Sequence, residues 1–294
     1  MRKAFLIFMS ILFAAEFAAA NVTLPMSRVF KDRGQFDRLV QQARSNNWKS
    51  LPVGERTAAV GQALAGTRYK SYSLEIDDHV ESPSVNFIGM DCWTFFEIAL
   101  AFARMLDQPE SDWTPQTLLH FIEFDRYRGG ECDGDYLSRL HYLEDWLYDN
   151  TRRGNVEDLT RSLGGVSVAH AAHEMTVGRR HYRYLVHNPS LMRRLGEMEA
   201  RVSSRPLYQI PKGRVASIES KLKSGDIIGI VSHDGRLYST SHVGLALRTS
   251  DGTLHFLHAS APHNYGRVIV DSRLSGYLHK YRSDSGILVA RPLR

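Results

Sequence analysis

The sequence predicts an α+β fold in which helices fill the first two-thirds of the chain and pack on a C-terminal antiparallel sheet. Apolar residues recur at helical spacing up to about residue 198, whereas short apolar or alternating runs separated by turns follow residue 221. The 294 residues are 43% hydrophobic and 23% charged, which is ordinary globular usage and excludes disorder, collagen and coiled coil. Because no repeat or linker divides the chain, we expect one domain over residues 21–294.

The helices are predicted from apolar residues that recur every three or four positions and from residues that favour helix ends. They are residues 33–47, 57–65, 93–106, a helix that begins at Pro115 with Thr114 as its N-cap, residues 136–149, and a helix that begins at Asn188-Pro189.

The strands are predicted from short apolar or alternating runs that end at Gly and Asp. They are residues 227–231, 242–248, 253–259, 268–271 and 286–290. Asp251-Gly252 is typical of a hairpin turn, so we expect the second and third of these strands to pair.

The N-terminus has the pattern of a secretory signal peptide over residues 1–20. Arg2 and Lys3 precede an apolar run at residues 4–15, and small residues follow at 18–20. This run is too short to span a bilayer, although an uncleaved anchor is the alternative. We therefore expect export, to the periplasm or beyond, and no stable membrane insertion after cleavage.

The net charge of +5 could suit an acidic polymer. An exported protein rarely meets nucleic acid, however, so we exclude that partner. The densest basic cluster predicts a solvated face and comprises Arg179, Arg180, Arg183, Arg193 and Arg194.

Two cysteines raise two alternatives, a disulfide or a reactive thiol. Cys92 begins the helix predicted over residues 93–106, where the helix dipole and free N–H groups lower a thiol pKa. Cys132 lies in a polar turn with acidic neighbours, which disfavours its thiolate. We favour a reactive Cys92, and the Cys92–Cys132 disulfide remains the alternative.

Two histidines could assist such a nucleophile. His242 begins one strand, and the predicted hairpin brings His258 of the next strand beside it. A cysteine nucleophile needs a base, and the base needs a group that orients it. A helix-borne Cys facing a sheet-borne His is the geometry of papain-like thiol hydrolases. His170 and His173, spaced three apart, raise a metal alternative, but no third ligand is evident, so we expect a solvated helix face, no metal and no cofactor.

The sheet motifs resemble those of the NlpC/P60 superfamily of cell-wall peptidases and amidases. They are LKSGDII at residues 222–228, SHVG at 241–244 and FLHA at 256–259. DCWTFFE at residues 91–97 is similar to one variant of the nucleophile motif of that superfamily.

This variant, together with GTRY at residues 66–69 and SRLHYLEDW at 138–146, resembles the DUF1460 family of N-acetylmuramoyl-L-alanine amidases. The resemblance covers about residues 55–292. It implies a papain-like NlpC/P60 fold with a helical insertion at about 107–220. Arg68 and Trp93 depart from the family pattern near the expected cleft.

The resemblance also implies roles for individual residues. Cys92 would attack an amide, His242 would act as base and then acid, and His258 would orient His242. The substrate would be the amide between N-acetylmuramic acid and L-Ala in muropeptides, that is, in peptidoglycan fragments. Apart from the resemblance, the position of Glu97 beyond the first turn of the Cys92 helix makes it a candidate anchor behind the nucleophile. The residues expected to shape or bind at the cleft are Tyr69, Asp91, Arg139, His141 and Ser241, with Ser138 and Trp146 as further candidates.

Two other functions stay open at this stage. The same residues could cleave between γ-D-Glu and the diamino acid of the stem peptide, which is the commoner activity of the superfamily. A muropeptide-binding protein without catalysis is the alternative from a different class.

Overall fold

The computed structural model describes residues 24–235 and 237–293, and the predicted signal peptide lies outside this range. Within it the chain forms eleven α-helices, which are α1 (Met26–Val29), α2 (Arg33–Ser45), α3 (Val53–Ala63), α4 (Cys92–Met105), α5 (Pro115–Arg126), α6 (Leu143–Arg152), α7 (Glu174–Val177), α8 (Arg183–His187), α9 (Met192–Ser203), α10 (Lys212–Ile218) and α11 (Leu274–Leu278).

The same residues form twelve strands, four of which are two-residue pairings near the start of the chain. The strands are β1 (Phe30–Lys31), β2 (Arg68–Tyr69), β3 (Val85–Asn86), β4 (Gly89–Met90), β5 (Val156–Asp158), β6 (Val166–Val168), β7 (Leu207–Pro211), β8 (Ile227–His233), β9 (Tyr238–Arg248), β10 (Leu254–Ala259), β11 (Val268–Arg273) and β12 (Asp284–Pro292).

The main sheet is antiparallel, with strand order β11-β10-β9-β8-β12-β7-β6, and β5 pairs with the end of β12. The β9–β10 hairpin turns at Asp251-Gly252, where the Asp251 carboxylate accepts from the N–H of Thr253 and Gly252 takes φ +83°. That left-handed φ favours glycine, which explains why the Asp-Gly signal identified the hairpin.

Both faces of the sheet are covered. Leu245 and Leu257 belong to the core shared with α4, whereas Ala246 and Phe256 belong to the core under α10 and α11. This is the period-two alternation of strand side chains. The helix α3 approaches closely, because a Cβ on Gly61 would lie only 3.0–3.2 Å from Leu245, Leu257 and Phe95.

Helix α4 is the centre of the helical layer. It packs on β9 and β10 and lies between α3 and α5. Phe95, Phe96 and Phe102 are fully buried, and each such side chain stabilises the fold by about 1.5–3 kcal/mol. This packing fixes the N-terminus of α4, and therefore Cys92, against the sheet.

The predicted strands all occur, with bounds that differ by a few residues, and the predicted helices over residues 33–47, 57–65 and 93–106 are confirmed. Thr114 caps α5 as predicted, by accepting from the N–H of Thr117, and Pro115 is its first residue. No helix among residues 24–235 and 237–293 is long and apolar enough to cross a bilayer.

Two predictions of structure were wrong. The insertion at 107–220 is not purely helical, because β5, β6 and β7 join the main sheet beside β12. Residues 136–142 are not α-helical, since a 3₁₀ turn at Tyr136–Ser138 leads into extended backbone at Arg139, which bridges Tyr127. The helix predicted to begin at Asn188-Pro189 is confirmed, since a 3₁₀ turn at Pro189–Leu191, with Asn188 as its N-cap, runs directly into α9.

Candidate active site

Cys92 is the first residue of α4, and its position is set by a capping box. One carboxylate oxygen of Asp91 accepts from the N–H of Thr94 at 2.8 Å, and the Thr94 hydroxyl accepts from the N–H of Asp91. The other carboxylate oxygen accepts from the Ser73 hydroxyl at 3.0 Å. Both oxygens of Asp91 are therefore used to hold the start of α4 rather than to face a ligand.

Tyr69 lies beside this turn. Strand β2 pairs in parallel with β4, which places Tyr69 opposite Met90, two residues before Cys92. The N–H of Tyr69 donates to the carbonyl of Gly266, so the segment is also tied to the end of the main sheet.

The Cys92 thiol does not have the lowered pKa that a helix N-terminus predicts. Backbone N–H groups of Val243 and Trp93 point at the sulfur and favour its anion. Burial and the neighbouring Asp91 carboxylate outweigh them and raise the pKa of Cys92 to about 12. The free protein therefore holds a neutral thiol at Cys92.

The two sheet histidines lie side by side, as the hairpin predicts. Nε2 of His242 is 2.7 Å from Nδ1 of His258, and Nε2 of His258 is 3.4 Å from a carboxylate oxygen of Asp271 on β11. Lys280 forms an ion pair with the other oxygen of Asp271. The arrangement is a chain of hydrogen bonds across β9, β10 and β11.

The Asp271 carboxylate at the end of this chain of hydrogen bonds determines which nitrogen atoms of the two histidines carry protons. A carboxylate only accepts, so Nε2 of His258 carries a proton and, in a neutral ring, Nδ1 of His258 accepts. The proton between the rings then belongs to Nε2 of His242. The lone pair of His242 is left on Nδ1, which is the atom that can act as a base.

The charges of this chain follow from burial. Burial, together with His258, lowers the pKa of His242 to about 3, so this ring is neutral. Burial also lowers the pKa of His258, although Asp271 opposes it. Burial acts against ionisation of Asp271, but the hydrogen bonds from His258 and Lys280 hold its pKa well below the usual range. Among His242, His258 and Asp271, the charged group is therefore the Asp271 carboxylate.

Asp271 was not identified from the sequence as a site residue. It is the last residue of the strand predicted over 268–271. Pairing of that strand with the strand of His258 would have identified it as a neighbour of the imidazole. Val268 and Ile269 pair with Ala259 and His258, and Asp271, two residues further along β11, lies beside the His258 imidazole.

Two cavities meet at Cys92, with volumes of about 350 and 270 Å³. Tyr69, Tyr72 and Glu75 line the first, and Ser241, His242 and Val243 line the second. The residues that line both are Cys92, Trp93, His141, Met175 and Tyr182. The thiol therefore lies in a cleft with an aromatic side and a histidine side.

Arg139 lines the aromatic side but is buried and paired. Its guanidinium donates to Glu75 at 2.9 Å and lies 4.7 Å from the centre of the Tyr136 ring. Glu75 also accepts from the Tyr136 hydroxyl at 2.7 Å. This network holds the segment 136–142 in place, so Arg139 supports the wall of the cleft.

His141 lies in the wall shared by the two cavities. Its Nε2 is 2.8 Å from the carbonyl of Tyr136 and must donate to it, which leaves Nδ1 as the acceptor. Burial, and then Arg139, hold the pKa of His141 well below its usual value. Ser241 is exposed on the histidine side, with its hydroxyl 2.6 Å from that of Ser232.

Other sequence candidates lie elsewhere. Ser138 does not line either cavity, and Trp146 is fully buried against Phe96. His170 and His173 are not on a helix, because His170 forms a β-bridge with Tyr238 and His173 is the N-cap residue that precedes α7. His170 is largely buried, so the prediction of a solvated helix face was wrong. Among the described residues no three His, Cys, Asp or Glu side chains cluster as metal ligands.

Cys92 and Cys132 are both free thiols, so the disulfide alternative is excluded. Cys132 is buried, and its N–H donates to Glu123 at 2.9 Å.

We expect the free protein to react slowly with iodoacetamide at Cys92. A thiol with a pKa of about 12 has far less thiolate at pH 7 than an ordinary thiol of pKa about 8.5. The alkylation rate should be at least about a hundredfold below that of glutathione and should rise about tenfold per pH unit. Peptide mass spectrometry separates Cys92 from Cys132, and a rate at pH 7 equal to that of glutathione would show a preformed thiolate instead.

The fold is shared with solved structures. An N-acetylmuramoyl-L-alanine amidase from Bacteroides uniformis is 27% identical, with a TM-score of 0.73 over 82% of this chain and 99% of that one. A protein from Bacteroides fragilis described as a candidate xylanase is 32% identical, with a TM-score of 0.70 over 79% and 99%. A Legionella pneumophila protein of the DUF1460 family is 18% identical, with a TM-score of 0.64 over 89% and 95%, which is a likeness of fold alone.

A search of the curated proteins found no match. Residues 59–287, most of the chain, match the model of the AmiA-like family, and the protein therefore belongs to this N-acetylmuramoyl-L-alanine amidase-like family.

Proposed function

We propose that this protein is an exported cysteine amidase of the NlpC/P60 type. It hydrolyses the amide between N-acetylmuramic acid and L-Ala in muropeptides, with the 1,6-anhydro form as the expected substrate. The observation that carries the proposal is the position of Cys92, which begins α4 at the junction of two cavities, one of which also contains His242. Membership of the amidase-like family supports the bond that is cleaved.

The first half of the reaction forms a thioester. The thiol proton of Cys92 passes to Nδ1 of His242 as the sulfur attacks the carbonyl carbon of the lactyl amide. The backbone N–H of Cys92, at the positive end of α4, stabilises the oxyanion. His242 then gives its proton to the nitrogen of L-Ala, the carbon–nitrogen bond breaks, and the stem peptide leaves.

The second half restores the enzyme. His242 takes a proton from a water molecule, whose oxygen attacks the thioester carbon. The carbon–sulfur bond breaks, the sugar leaves with a free carboxyl group, and the proton returns to Cys92. Because the thiol and the imidazole are both neutral at rest, proton transfer accompanies attack in this mechanism.

The cleft suits a sugar on one side of the thiol. Tyr69, Trp93 and Tyr136 line the 350 Å³ cavity, and aromatic rings pack well against the apolar faces of pyranose rings. Arg139 and Glu75 hold this wall, and His141 offers an acceptor nitrogen. Pockets that combine aromatic walls with a few placed polar groups are typical of small-molecule sites.

The proposal is tested by incubating purified 1,6-anhydro-muropeptides with the protein and with its Cys92→Ala variant, followed by mass spectrometry. Release of a free stem peptide that begins with L-Ala, by the wild type alone, is expected. Release of a sugar that still carries L-Ala-D-Glu would assign the protein to the endopeptidases. Absence of any cleavage would favour a muropeptide-binding protein.

Asp271 acts through His258 in this mechanism and is a positioning residue. We expect Asp271→Asn to lower kcat about 10- to 100-fold with little change in KM, because the amide no longer enforces the proton arrangement of the two histidines. Steady-state kinetics on the muropeptide measure both constants.

Lys280→Gln is the matched control, since it removes only the half-exposed partner of Asp271. It should change kcat less than about threefold. An equal loss in both variants, or a loss through KM alone, would contradict a positioning role for Asp271.

A further inference from the structure

The basic cluster predicted from the sequence divides into paired and unpaired arginines. Arg183 donates to Asp78 at 3.0 Å, Arg194 donates to Asp135 at 2.6 Å, and Arg193 pairs with Glu197 on its own helix. Arg179 and Arg180 are exposed and form no ion pair with any acidic residue of the described chain.

The two unpaired arginines lie next to the cleft. Met175 and Tyr182 both line the two cavities at Cys92, and the chain between them, residues 176–181, lines an adjoining depression of about 360 Å³. Both ends of this segment are therefore part of the cleft wall. Its middle carries Arg179 and Arg180, which line that depression, and we call the segment 176–181 the rim.

The base of this segment is held firmly. The N–H of Thr176 donates to the buried carboxylate of Glu199 on α9 at 2.9 Å, and the N–H of Met175 donates to the hydroxyl of Tyr142. Tyr142 in turn donates to Glu199 at 2.7 Å. On the other side the ring of Tyr182 contacts that of Tyr72 edge-on. The rim therefore has a defined position relative to the thiol.

The cleft itself offers little to an anion. Among the described residues that line the two cavities at Cys92, Arg139 is the only Lys or Arg, and Glu75 already neutralises it. A ligand carboxylate that pairs with a free cation would therefore pair with one beside the cavities, and Arg179 and Arg180 are two such cations. Guanidinium groups bind carboxylates with paired, charge-assisted hydrogen bonds.

We propose that Arg179 and Arg180 bind free carboxylates of the stem peptide. This inference rests on the proposed function, in which the leaving group is a peptide that contains γ-linked D-Glu. The two arginines then determine a preference for acidic stem peptides over amidated ones.

The test compares Arg179→Gln/Arg180→Gln with a control of equal charge, Arg193→Gln/Arg201→Gln on α9. The substrates are 1,6-anhydro-N-acetylmuramoyl-L-Ala-γ-D-Glu-diaminopimelate and the same compound with its carboxylates amidated. The first variant should lose about 10- to 100-fold in kcat/KM on the acidic substrate, mainly through KM, and less than about threefold on the amidated one. The control should lose less than about threefold on both.

Equal losses on both substrates, or no loss on either, would overturn the inference while the wild type still cleaves. A wild type that cleaves neither substrate would overturn the proposed function instead. In that case calorimetric titration of the tripeptide L-Ala-γ-D-Glu-diaminopimelate into the Cys92→Ala protein still tests whether the two arginines bind the stem peptide. Binding should weaken at least about tenfold when Arg179 and Arg180 are also replaced, and unchanged binding would contradict the inference.

Discussion

Cys92→Ala should lower kcat for muropeptide hydrolysis by at least about ten-thousand-fold. The variant lacks the atom that would form the thioester, and no other thiol of the described chain lies in the cleft, because Cys132 is buried elsewhere. Any remaining rate would come from substrate binding and from backbone N–H groups at the start of α4.

The same substitution should leave the fold intact. The capping box that begins α4 uses Asp91 and Thr94 and does not involve the thiol. Cys92 is partly exposed, so its loss should change the free energy of unfolding by less than about 1 kcal/mol. Urea unfolding followed by circular dichroism measures this difference beside the kinetic assay.

Cys132→Ala is the matched control, since it removes the other thiol. Cys132 is 2% exposed and its thiol donates to the carbonyl of Glu81, so the substitution should lower the unfolding free energy by about 1 kcal/mol while kcat stays within about threefold. A Cys92→Ala protein with more than one-hundredth of the wild-type kcat would contradict the nucleophile assignment.

The parts of the site that could be predicted are those encoded by local signals. The N-terminus of α4 follows from an amphipathic run behind Asp91, and the contact between His242 and His258 follows from the Asp251-Gly252 turn. These signals act over a few residues, so the sequence carries them directly.

The parts that could not be predicted depend on contacts between distant segments. Asp271 is an ordinary strand residue until β11 pairs with β10, and Arg139 is an ordinary charged residue until Glu75, 64 positions away, pairs with it. Short strands β5 and β6 carry exposed residues and no alternation, so they gave no signal of joining the sheet. The pKa of Cys92 depends on burial, which is likewise a tertiary property.

Glu97 was expected as an anchor behind the nucleophile, and its contacts show how. Nε of Arg126 on α5 donates to the Glu97 carboxylate at 2.7 Å, and both side chains are completely buried. Arg126 also donates to the carbonyl of Ser84 at 2.9 Å, which ties the segment before β3 to the two helices. A second buried ion pair, Arg104 with Asp125, joins the C-terminal end of α4 to α5.

Glu97→Ala should therefore lower the free energy of unfolding by about 3–5 kcal/mol, because it leaves the Arg126 guanidinium buried without its carboxylate. Asp37→Ala is the control for an exposed pair, Arg33 with Asp37 on α2, and should cost less than about 0.5 kcal/mol. The double variant Glu97→Gln/Arg126→Met should cost less than the sum of its single substitutions, because no charge is then left unpaired.

The activity of the Glu97→Ala protein separates an anchor from a catalytic group. Glu97 lies more than one helical turn beyond Cys92 and does not line either cavity at the thiol. Well below its transition temperature, the fraction that remains folded should keep kcat within about tenfold of the wild type, while the unfolding midpoint in urea falls steeply. A folded Glu97→Ala protein that loses activity as completely as Cys92→Ala would instead show that this buried carboxylate takes part in the reaction. An unfolding free energy equal to that of the wild type would show that the buried Arg126 guanidinium does not need the Glu97 carboxylate.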